Sequence, residues 1–306
     1  MKVKFGEDLS RKDSGKHKFL SRLAKEFKRL GVQIAGPGEK ADVFLHICRN
    51  QQWGERCRVS VARMDGLILN SKANYTKQNK GLKRAIDKST GVVYQGEFCR
   101  EAYEKFLGVK KTNACILNGA NPNEFGRRGN GNFFLANCKW RPHKRLPTIV
   151  KAFELANKKG LDADLVVLGV KKDMGFHTDV PRVDVKKWVD GNEAMSNMLS
   201  HAISTIHLSW LDWCPNAMVE SAVAGCPVIY TDSGGSAQVG KGVGIPIKDT
   251  QWCFDLVDLY SPPDLDIEEI ADAMIKIKKE GYEVDASHLN IEKTAKKYLD
   301  FFERLL

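Results

Sequence analysis

Residues 209–222 read SWLDWCPNAMVESA, and this stretch predicts a strand that turns into a helix. Residues 203–208 before it, ISTIHL, are predicted to form a strand, Pro215 marks a turn, and residues 216–224 have helical spacing. The start of a helix presents unpaired backbone N–H groups and the positive end of the helix dipole, which together favour an anion. Glu220 lies one turn into this helix, where a carboxylate could accept hydrogen bonds from the two hydroxyls of a ribose. The stretch therefore indicates a site for a phosphorylated nucleotide.

Strands and helices alternate on both sides of this stretch, throughout the second half of the chain. Each predicted strand is a short apolar run, and each predicted helix repeats apolar residues at helical spacing. The strands are 133–138, 163–169, 203–208 and 227–231, and the helices are 146–158, 192–201, 216–224, 267–280 and 291–306. Such alternation predicts a mostly parallel sheet covered by helices.

The first half shows the same alternation. Its predicted strands are 3–5, 32–35, 42–47, 59–64, 92–95 and 114–117, and its predicted helices are 16–30 and 98–107. In the helix 16–30 the apolar residues share one face, the basic residues lie mostly elsewhere, and Gly31 ends the helix. The predicted fold class is therefore α/β, with two Rossmann-like halves. Ligands of such sheets lie beyond the carboxyl ends of the strands, so the cleft between the halves is the expected site.

The pattern breaks at residues 121–132, a polar stretch that contains Pro122 and several glycines. We interpret it as the linker between the two halves. A phosphate-binding loop built from its glycines is less favoured, because such a loop follows a strand and opens a helix, whereas this stretch precedes a strand. The predicted domains are 1–125 and 126–288, followed by a C-terminal helix at 289–306.

The net charge of +10 is unevenly distributed over the 306 residues. Residues 1–125 contain 25 Lys and Arg against 13 Asp and Glu, a balance of +12, and the remaining residues contain 23 against 25, a balance of −2. A basic excess in one half indicates an anionic partner there. An acidic membrane surface, a polyanionic acceptor and a nucleic acid all fit, and charge alone does not choose among them.

The compartment is predicted from what the sequence lacks. No apolar run approaches the ~20 residues needed to span a bilayer, and the N-terminus lacks the apolar stretch of a signal peptide. The eight cysteines are scattered without a Cys-x-x-Cys pair, which argues against both a disulfide framework and a zinc site. A cytoplasmic protein is expected, with the periphery of a membrane as an alternative location.

Asp212 is followed eight positions later by Glu220, and through this pattern the chain resembles the retaining GT-B glycosyltransferases of family four, the glycosyl transferases group 1 type. The resemblance continues through residues 221–235, SAVAGCPVIYTDSGG. It implies a GT-B fold, in which two Rossmann-like domains face each other across a cleft and a C-terminal helix crosses back to the first domain. It also implies the transfer of a sugar from a nucleoside diphosphate to an acceptor hydroxyl, with retention at the anomeric carbon.

The resemblance further implies which residues bind the donor. The second acid of the pattern holds the nucleotide ribose, and the loop after the first acid offers backbone amides to the sugar and phosphate. This chain has Asp212 where Glu is usual and Cys-Pro-Asn where Gly-Phe-Gly is common, so Pro215 removes one amide. Asp212, the first acid, is an implied catalytic residue, and the implied donor-binding residues are Glu220, Cys214, Pro215, Asn216 and Ala217.

Two lysines upstream resemble the cations of the same family. Residues 137–147 read NCKWRPHKRLP, with Lys139 where Arg is usual and Lys144 matching the family's Lys. Two cations at the mouth of a strand can clamp a diphosphate and stabilise the charge that develops on the leaving group. This mode needs no metal, so we expect no cofactor and no structural metal, only a nucleoside-diphosphate sugar as substrate. The pair Asp162 and Asp164 imitates a metal-binding motif, but it lies where a helix gives way to a strand and is interpreted as structural.

The first half matches the family less closely. The family's double-glycine loop is absent, and residues 13–17 stand at the equivalent turn, where Gly15 is implied to approach the donor or Ser14 simply caps the helix. Asp65 stands near the place of a family histidine that contacts the donor sugar, so it is a candidate catalytic residue, although it could also cap a turn. His46, at the end of another strand, is a weaker candidate.

Two functions of other classes remain open at this point. A noncatalytic protein that binds sugar nucleotides would keep the same donor residues. A nucleic-acid-binding protein would use the basic first half, although the sequence offers no aromatic stacking motif or recognition helix for it.

Overall fold

The computed structural model describes residues 1–11, 14–48, 57–109, 111–126, 128–171, 174–187 and 192–306. These residues pack as two compact units, which we describe one after the other. Unit 1 consists of Met1–Ala120, Cys253–Val257 and His288–Leu306, and unit 2 consists of Asn121–Trp252 and Asp258–Ser287. Asp13, which belongs to the predicted turn before Gly15, lies outside the described residues.

Unit 1 is built on a sheet of six parallel strands in the order β2-β1-β3-β4-β5-β6. The strands are β1 (Lys2–Phe5), β2 (Gln33–Ile34), β3 (Ala41–Ile47), β4 (Cys57–Met64), β5 (Gly91–Tyr94) and β6 (Asn113–Cys115). The helices between them are α1 (Gly15–Arg29), α2 (Tyr75–Lys88) and α3 (Glu97–Leu107). Because all strands are parallel, their carboxyl ends share one edge of the sheet.

Unit 2 has a second sheet of six parallel strands, in the order β12-β11-β10-β7-β8-β9. The strands are β7 (Phe133–Asn137), β8 (Asp164–Leu168), β9 (Val183–Lys186), β10 (Ser204–His207), β11 (Val228–Thr231) and β12 (Gly244–Ile247). Its helices are α4 (Leu146–Lys158), α5 (Asn192–His201), α6 (Asn216–Val223), α7 (Gly234–Val239) and α8 (Ile267–Glu280). In the main core of this unit α4 and α8 pack together and bury Phe153, Ile270 and Met274.

The last helix of the chain, α9 (Ile291–Leu305), packs within unit 1, as predicted for the C-terminal helix. Its Tyr298 and Phe302 rings lie 6.4 Å and 6.0 Å from the ring of Phe27 on α1. The apolar stripe predicted on the first helix is therefore buried against α9 and the sheet. The short segment Cys253–Val257 also belongs to unit 1, where the ring centroid of Phe254 lies 6.1 Å from that of Phe98. The sequence did not predict this placement.

Several elements escaped the sequence prediction. Helix α2 was missed because it contains a glycine, Gly81, and buries only a narrow set of side chains, namely Asn79, Leu82, Ala85 and Ile86. Strand β9 was missed because it is an edge strand with mostly exposed residues, and an exposed edge needs no apolar run. Among the described residues, no helix is both long enough and apolar enough to cross a membrane.

Candidate functional site

A tight backbone contact shapes the loop between β10 and α6, where Asp212 lies. The N–H of Gly235 donates to the Asp212 carbonyl at 2.7 Å. A Cβ atom on Gly235 would lie 1.8 Å from the Trp213 carbonyl oxygen, so only glycine fits there. Leu211 turns the loop with a positive φ of 55°, an uncommon conformation for a side chain of its type. The sequence Gly234-Gly235 thus fixes the backbone that carries Asp212.

Helix α6 begins directly after this loop. Its N-cap is Pro215, and no side chain caps its first turn. Its dipole therefore presents a positive end beside the loop, as the sequence predicted. Glu220 is buried, with 8% of its surface exposed, and lies one turn into the helix. Cys214 and Pro215 are also buried, whereas Asn216 and Ala217 are half-buried at the helix start.

The Asp212 carboxylate lies between two basic side chains. Lys144 Nζ donates to Asp212 Oδ2, and His207 Nε2 lies 3.5 Å from the same oxygen. The side chain of Asp212 is 19% exposed and that of Lys144 is 14% exposed. Burial opposes ionisation of the carboxyl, but the Lys144 ammonium and the His207 imidazole hold its pKa well below the usual range. The structure thus brings together Lys144 and Asp212, two of the residues predicted from the sequence.

Lys144 is positioned by a short turn and by the residue that follows it. Pro142–Lys144 form one 3-10 turn, and Arg145 then takes a positive φ of 55° before α4 begins. The Arg145 guanidinium donates to both carboxylate oxygens of Asp249 at 2.9 Å and to the Pro263 carbonyl at 2.9 Å. It also donates to the carbonyl of Leu208, the residue directly after β10, at 3.2 Å. Arg145 therefore ties the turn that carries Lys144 to the strand that leads to Asp212.

Two histidines of this site were not predicted. His143 is buried and stacks on Tyr260 with ring centroids 5.7 Å apart, and its carbonyl accepts from the N–H of Trp210 at 2.9 Å. Burial lowers the pKa of His143 to about 3, helped by the neighbouring Lys144 charge. Burial also lowers the pKa of His207. Both rings are therefore neutral near pH 7. A lone histidine in an apolar strand gives no functional signal in a sequence, which is why His207 was missed.

Lys139, the second predicted cation, is placed differently from Lys144. Its side chain is exposed, beyond the carboxyl end of β7. Within the described ranges, no ion pair joins Lys139 to an acidic residue. The structure therefore does not bring Lys139 into the contact between Lys144 and Asp212.

In unit 1, Asp65 belongs to a buried polar network at the end of β4. Its carboxylate accepts from the guanidinium of Arg63, which is fully buried, and from Gln95 Nε2 at 2.7 Å. Arg63 also donates to Asn118 and lies over the ring of Phe19, 4.4 Å from its centroid. The Asp65 side chain is 23% exposed, so part of it still faces solvent. The sequence identified Asp65 but missed Arg63, because an arginine within an apolar strand has no partner that spacing reveals.

The other candidates of unit 1 have structural partners. Ser14 caps α1 by accepting from the His17 N–H, so the capping role that the sequence left open is present, and Gly15 is the exposed first residue of that helix. His46 is buried, its Nε2 lies 3.0 Å from Ser89 Oγ, and burial lowers its pKa to about 4.

The acidic pair Asp162 and Asp164 binds an arginine. Arg182 donates to Asp162 at 2.6 Å and to Asp164 at 2.8 Å, in agreement with the structural interpretation of this pair. In the part of the chain that the structure describes, no group of three or more His, Cys, Asp or Glu side chains is arranged to hold a metal ion.

Comparison with known proteins agrees with the resemblance found in the sequence. Residues 131–279, just under half of the chain, match the family model described as glycosyl transferases group 1. The matched segment contains Lys144, Asp212 and Glu220. No curated protein matches the chain.

Solved structures of the same fold match the full length of the chain. Sucrose-phosphate synthase from Thermosynechococcus elongatus is similar with a TM-score of 0.72 and 12% identity, over 99% of this chain and 98% of that one. HepE from Anabaena, in complex with UDP, has a TM-score of 0.71 and 12% identity, over 99% and 100%. AviGT4, a glycosyltransferase involved in avilamycin A biosynthesis, has a TM-score of 0.65 and 15% identity, over 99% and 97%. The predicted GT-B fold class is thereby confirmed.

Proposed function

We propose that this chain, whose residues 131–279 match the model of the glycosyl transferases group 1 family, moves a sugar from a nucleoside diphosphate to an acceptor hydroxyl with retention. One observation carries the proposal: Lys144 contacts Asp212 in the loop that leads into α6, and that helix carries the buried Glu220. A cation, a carboxylate and a helix dipole then lie together within the matched segment.

Lys144 and the start of α6 are proposed to bind the diphosphate. Negative charge grows on the diphosphate as the bond to the sugar breaks, so a fixed ammonium and a helix dipole stabilise the transition state more than the ground state. The Lys144 ammonium is held by Asp212 and is only partly exposed, so it is already oriented and partly desolvated. The turn anchored by Arg145 keeps it there. The catalytic effect is thus assigned to positioning and charge.

Asp212 and Glu220 are proposed to hold hydroxyl groups of the donor. The lowered pKa keeps Asp212 ionised at neutral pH, so its carboxylate can accept a hydrogen bond from a sugar hydroxyl while it holds Lys144. Glu220 is proposed to accept from the ribose hydroxyls, with the backbone of residues 214–217 against the phosphate and sugar. Lys139 adds an exposed cation at the entrance, and Asp65 and Gly15 are proposed to contact the sugar and the donor from unit 1.

The proposal extends to the donor, to a metal-free mechanism and to the location. The structures of HepE hold UDP and UDP-glucose, so a uridine nucleotide is the first donor to test. The proposed reaction needs no metal, because Lys144 and the dipole of α6, with Lys139 at the entrance, are proposed to supply the positive charge at the diphosphate. The proposed acceptor is anionic, in keeping with the basic first half, and the proposed location is the cytoplasm or the periphery of a membrane.

The first experiment measures nucleotide binding by thermal shift with UDP, GDP and ADP. A ligand at 100 times its Kd raises the stability of the folded state by ~2.7 kcal/mol, which a shift in Tm detects. We expect a shift with one of the diphosphates in the wild type and a smaller one in Lys144→Ala. No shift with any of them would contradict the proposal.

The second experiment measures turnover. The sugar nucleotide of the best-bound base is incubated with and without EDTA, and hydrolysis, transfer and the anomeric configuration of the product are followed by NMR. Retention without added metal is expected. Binding without hydrolysis or transfer would instead identify the chain as a noncatalytic sugar-nucleotide-binding protein. Activity that EDTA abolishes and Mg²⁺ or Mn²⁺ restores would contradict the metal-free mechanism.

A further inference from the structure

Helix α2 of unit 1 carries an unusually basic exposed surface. Its 14 residues, YTKQNKGLKRAIDK, include five cations and a single acid. All five cations are exposed, whereas Leu82, Ala85 and Ile86 on the other side of the helix are buried in unit 1. The helix therefore presents charge to solvent and keeps its apolar residues in the core.

Four of these cations form one row. Lys77, Lys80, Arg84 and Lys88 follow one another at spacings of three, four and four residues, which places them on the same face of a helix. The last residue of the row lies eleven positions after the first, about 16 Å along the axis. We call these four residues the α2 row.

The only acid of α2 is already bound by a cation outside the row. Lys83 Nζ lies 3.1 Å from both carboxylate oxygens of Asp87. Lys111 Nζ adds a further positive charge beside the helix end, where it donates to the Asp87 carbonyl at 2.9 Å. Within the described ranges, no ion pair neutralises Lys77, Lys80 or Arg84. Like charges at three- and four-residue spacing destabilise a helix, so the row has a cost to folding that an anionic ligand would offset.

The row is narrow, which favours a linear partner over a flat one. Helix α3, the next helix along the chain, carries three acids and two cations, and its Arg100 is paired with both Glu97 and Glu104. A bilayer surface would be met better by a broad basic area or by exposed apolar residues for insertion. The exposed residues of α2 are polar, and its apolar residues are buried.

We propose that the α2 row binds a linear acidic polysaccharide, whose spaced anionic groups match the row of four cations. The inference rests on the proposed function, because it takes this polymer to be the acceptor whose hydroxyl receives the sugar. Electrostatic binding of this kind needs no specific contacts to each sugar, and it weakens steeply as salt rises.

The test measures binding of the full chain to polygalacturonate, a linear polymer of carboxylated sugars, at about 50 mM and about 200 mM salt. No donor is present, and dextran serves as the neutral polymer. Wild type is expected to bind polygalacturonate and not dextran. The double variant K77E/K80E should bind about tenfold more weakly at low salt, and its slope of log K against log salt should be shallower by about 2.

A matched control separates the row from net charge. K25E/K28E changes two exposed lysines of α1, also three residues apart, and lowers the net charge by the same amount. It should bind within about twofold of wild type. Equal losses in the two variants would overturn the proposal, because the binding would then follow net charge alone. Circular dichroism and Tm verify that both variants are folded.

Two further arms identify the class of polymer. A single-stranded oligonucleotide and vesicles of phosphatidylglycerol are titrated under the same salt conditions. Tighter binding to either than to polygalacturonate, lost in K77E/K80E, would overturn the assignment to a polysaccharide. The nucleoside diphosphate that the wild type binds best should bind K77E/K80E equally well. If the wild type bound polygalacturonate but no nucleotide, the proposed function would be contradicted, whereas polysaccharide binding by the α2 row would still be supported.

Discussion

Lys144 and Arg145 are neighbours in the chain, and each binds an aspartate of unit 2, but the two ion pairs differ in exposure. Lys144 and Asp212 are 14% and 19% exposed, whereas Arg145 and Asp249 are 3% and 0% exposed. The positive φ of Arg145 turns the backbone between the two pairs. One pair can thus reach a ligand from solvent, and the other is enclosed by protein.

The chemistry of the two cations fits this division. Arg145 uses its planar fork for two bonds to Asp249 and for two backbone carbonyls, so its donors are mostly consumed within the fold. Ser233 Oγ also donates to Asp249 at 2.7 Å, which completes the enclosed network. Lys144 is a point charge with one acidic partner among the residues that the structure describes, and with rotatable donors that a phosphate could share. Exposure and donor geometry together separate a structural pair from a candidate catalytic pair.

The largest effect is expected from Arg145→Ala, measured as thermal stability. Removing one partner of a buried pair leaves the Asp249 charge without compensation, which costs about 3–5 kcal/mol. For a domain of this size the Tm should fall by roughly 10 °C. Arg182→Ala is the matched control, because Arg182 also binds two carboxylates but is 38% exposed, and its loss should cost less than about 1 kcal/mol. Equal falls in Tm for the two variants would show that burial does not distinguish these pairs.

Lys144→Ala should give the next largest effect, in turnover. If its ammonium stabilises the departing diphosphate, kcat should fall about 10²–10³-fold, the usual result of removing one donor to a developing charge. The Tm should fall less than in Arg145→Ala, because Lys144 and Asp212 are partly solvated. Lys144→Arg keeps the charge and should recover part of the rate. If Lys144→Ala kept the wild-type kcat/KM, Lys144 and Asp212 would not be a catalytic pair, and the functional distinction from Arg145 and Asp249 would be wrong.

The sequence identified both residues of one pair as site residues, without their contact, and missed the other pair, for a physical reason. Lys144, Asp212 and Glu220 were identified because residues 137–147 and 209–235 resemble the donor segments of one family, and because both segments join a predicted strand to a predicted helix, where parallel sheets bind ligands. Arg145 sits beside Lys144 in sequence, and only the fold brings it to Asp249, 104 residues later. His207 was also missed, because its proximity to Asp212 depends on the backbone turn at Leu211. The helices with strong apolar spacing, such as α4, α5 and α8, were predicted at the bounds that the structure has.

A smaller effect is expected when Glu220→Gln is tested for nucleotide affinity by calorimetry. Loss of a charged hydrogen bond to the ribose should weaken binding by about 1–3 kcal/mol. The 2′-deoxy form of the same nucleotide completes a thermodynamic cycle with the variant. If Glu220 holds the ribose hydroxyls, the two losses of binding free energy should not be additive, because both changes remove the same hydrogen bond. Additive losses would mean that Glu220 acts elsewhere, and the site would then depend on the Lys144 pair alone.

The smallest effect is expected from Lys139→Ala, and it tests whether exposure decides the role of a cation here. Lys139 is exposed, so its attraction for a diphosphate is weakened by water and salt. We expect the loss of transition-state stabilisation to be about 0.2–1 kcal/mol in low salt, so kcat/KM should fall no more than roughly fivefold. At 1 M salt the Debye length is ~3 Å, and the effect should disappear, whereas that of Lys144→Ala should persist. Lys151, an exposed lysine on α4, controls for general loss of charge, and Lys151→Ala should leave kcat/KM unchanged.

The opposite outcome would be an equal fall in kcat/KM for Lys139→Ala and Lys144→Ala at both salt concentrations. Lys139 would then be a full partner in the diphosphate clamp, and contact with Asp212 would no longer distinguish the catalytic cation.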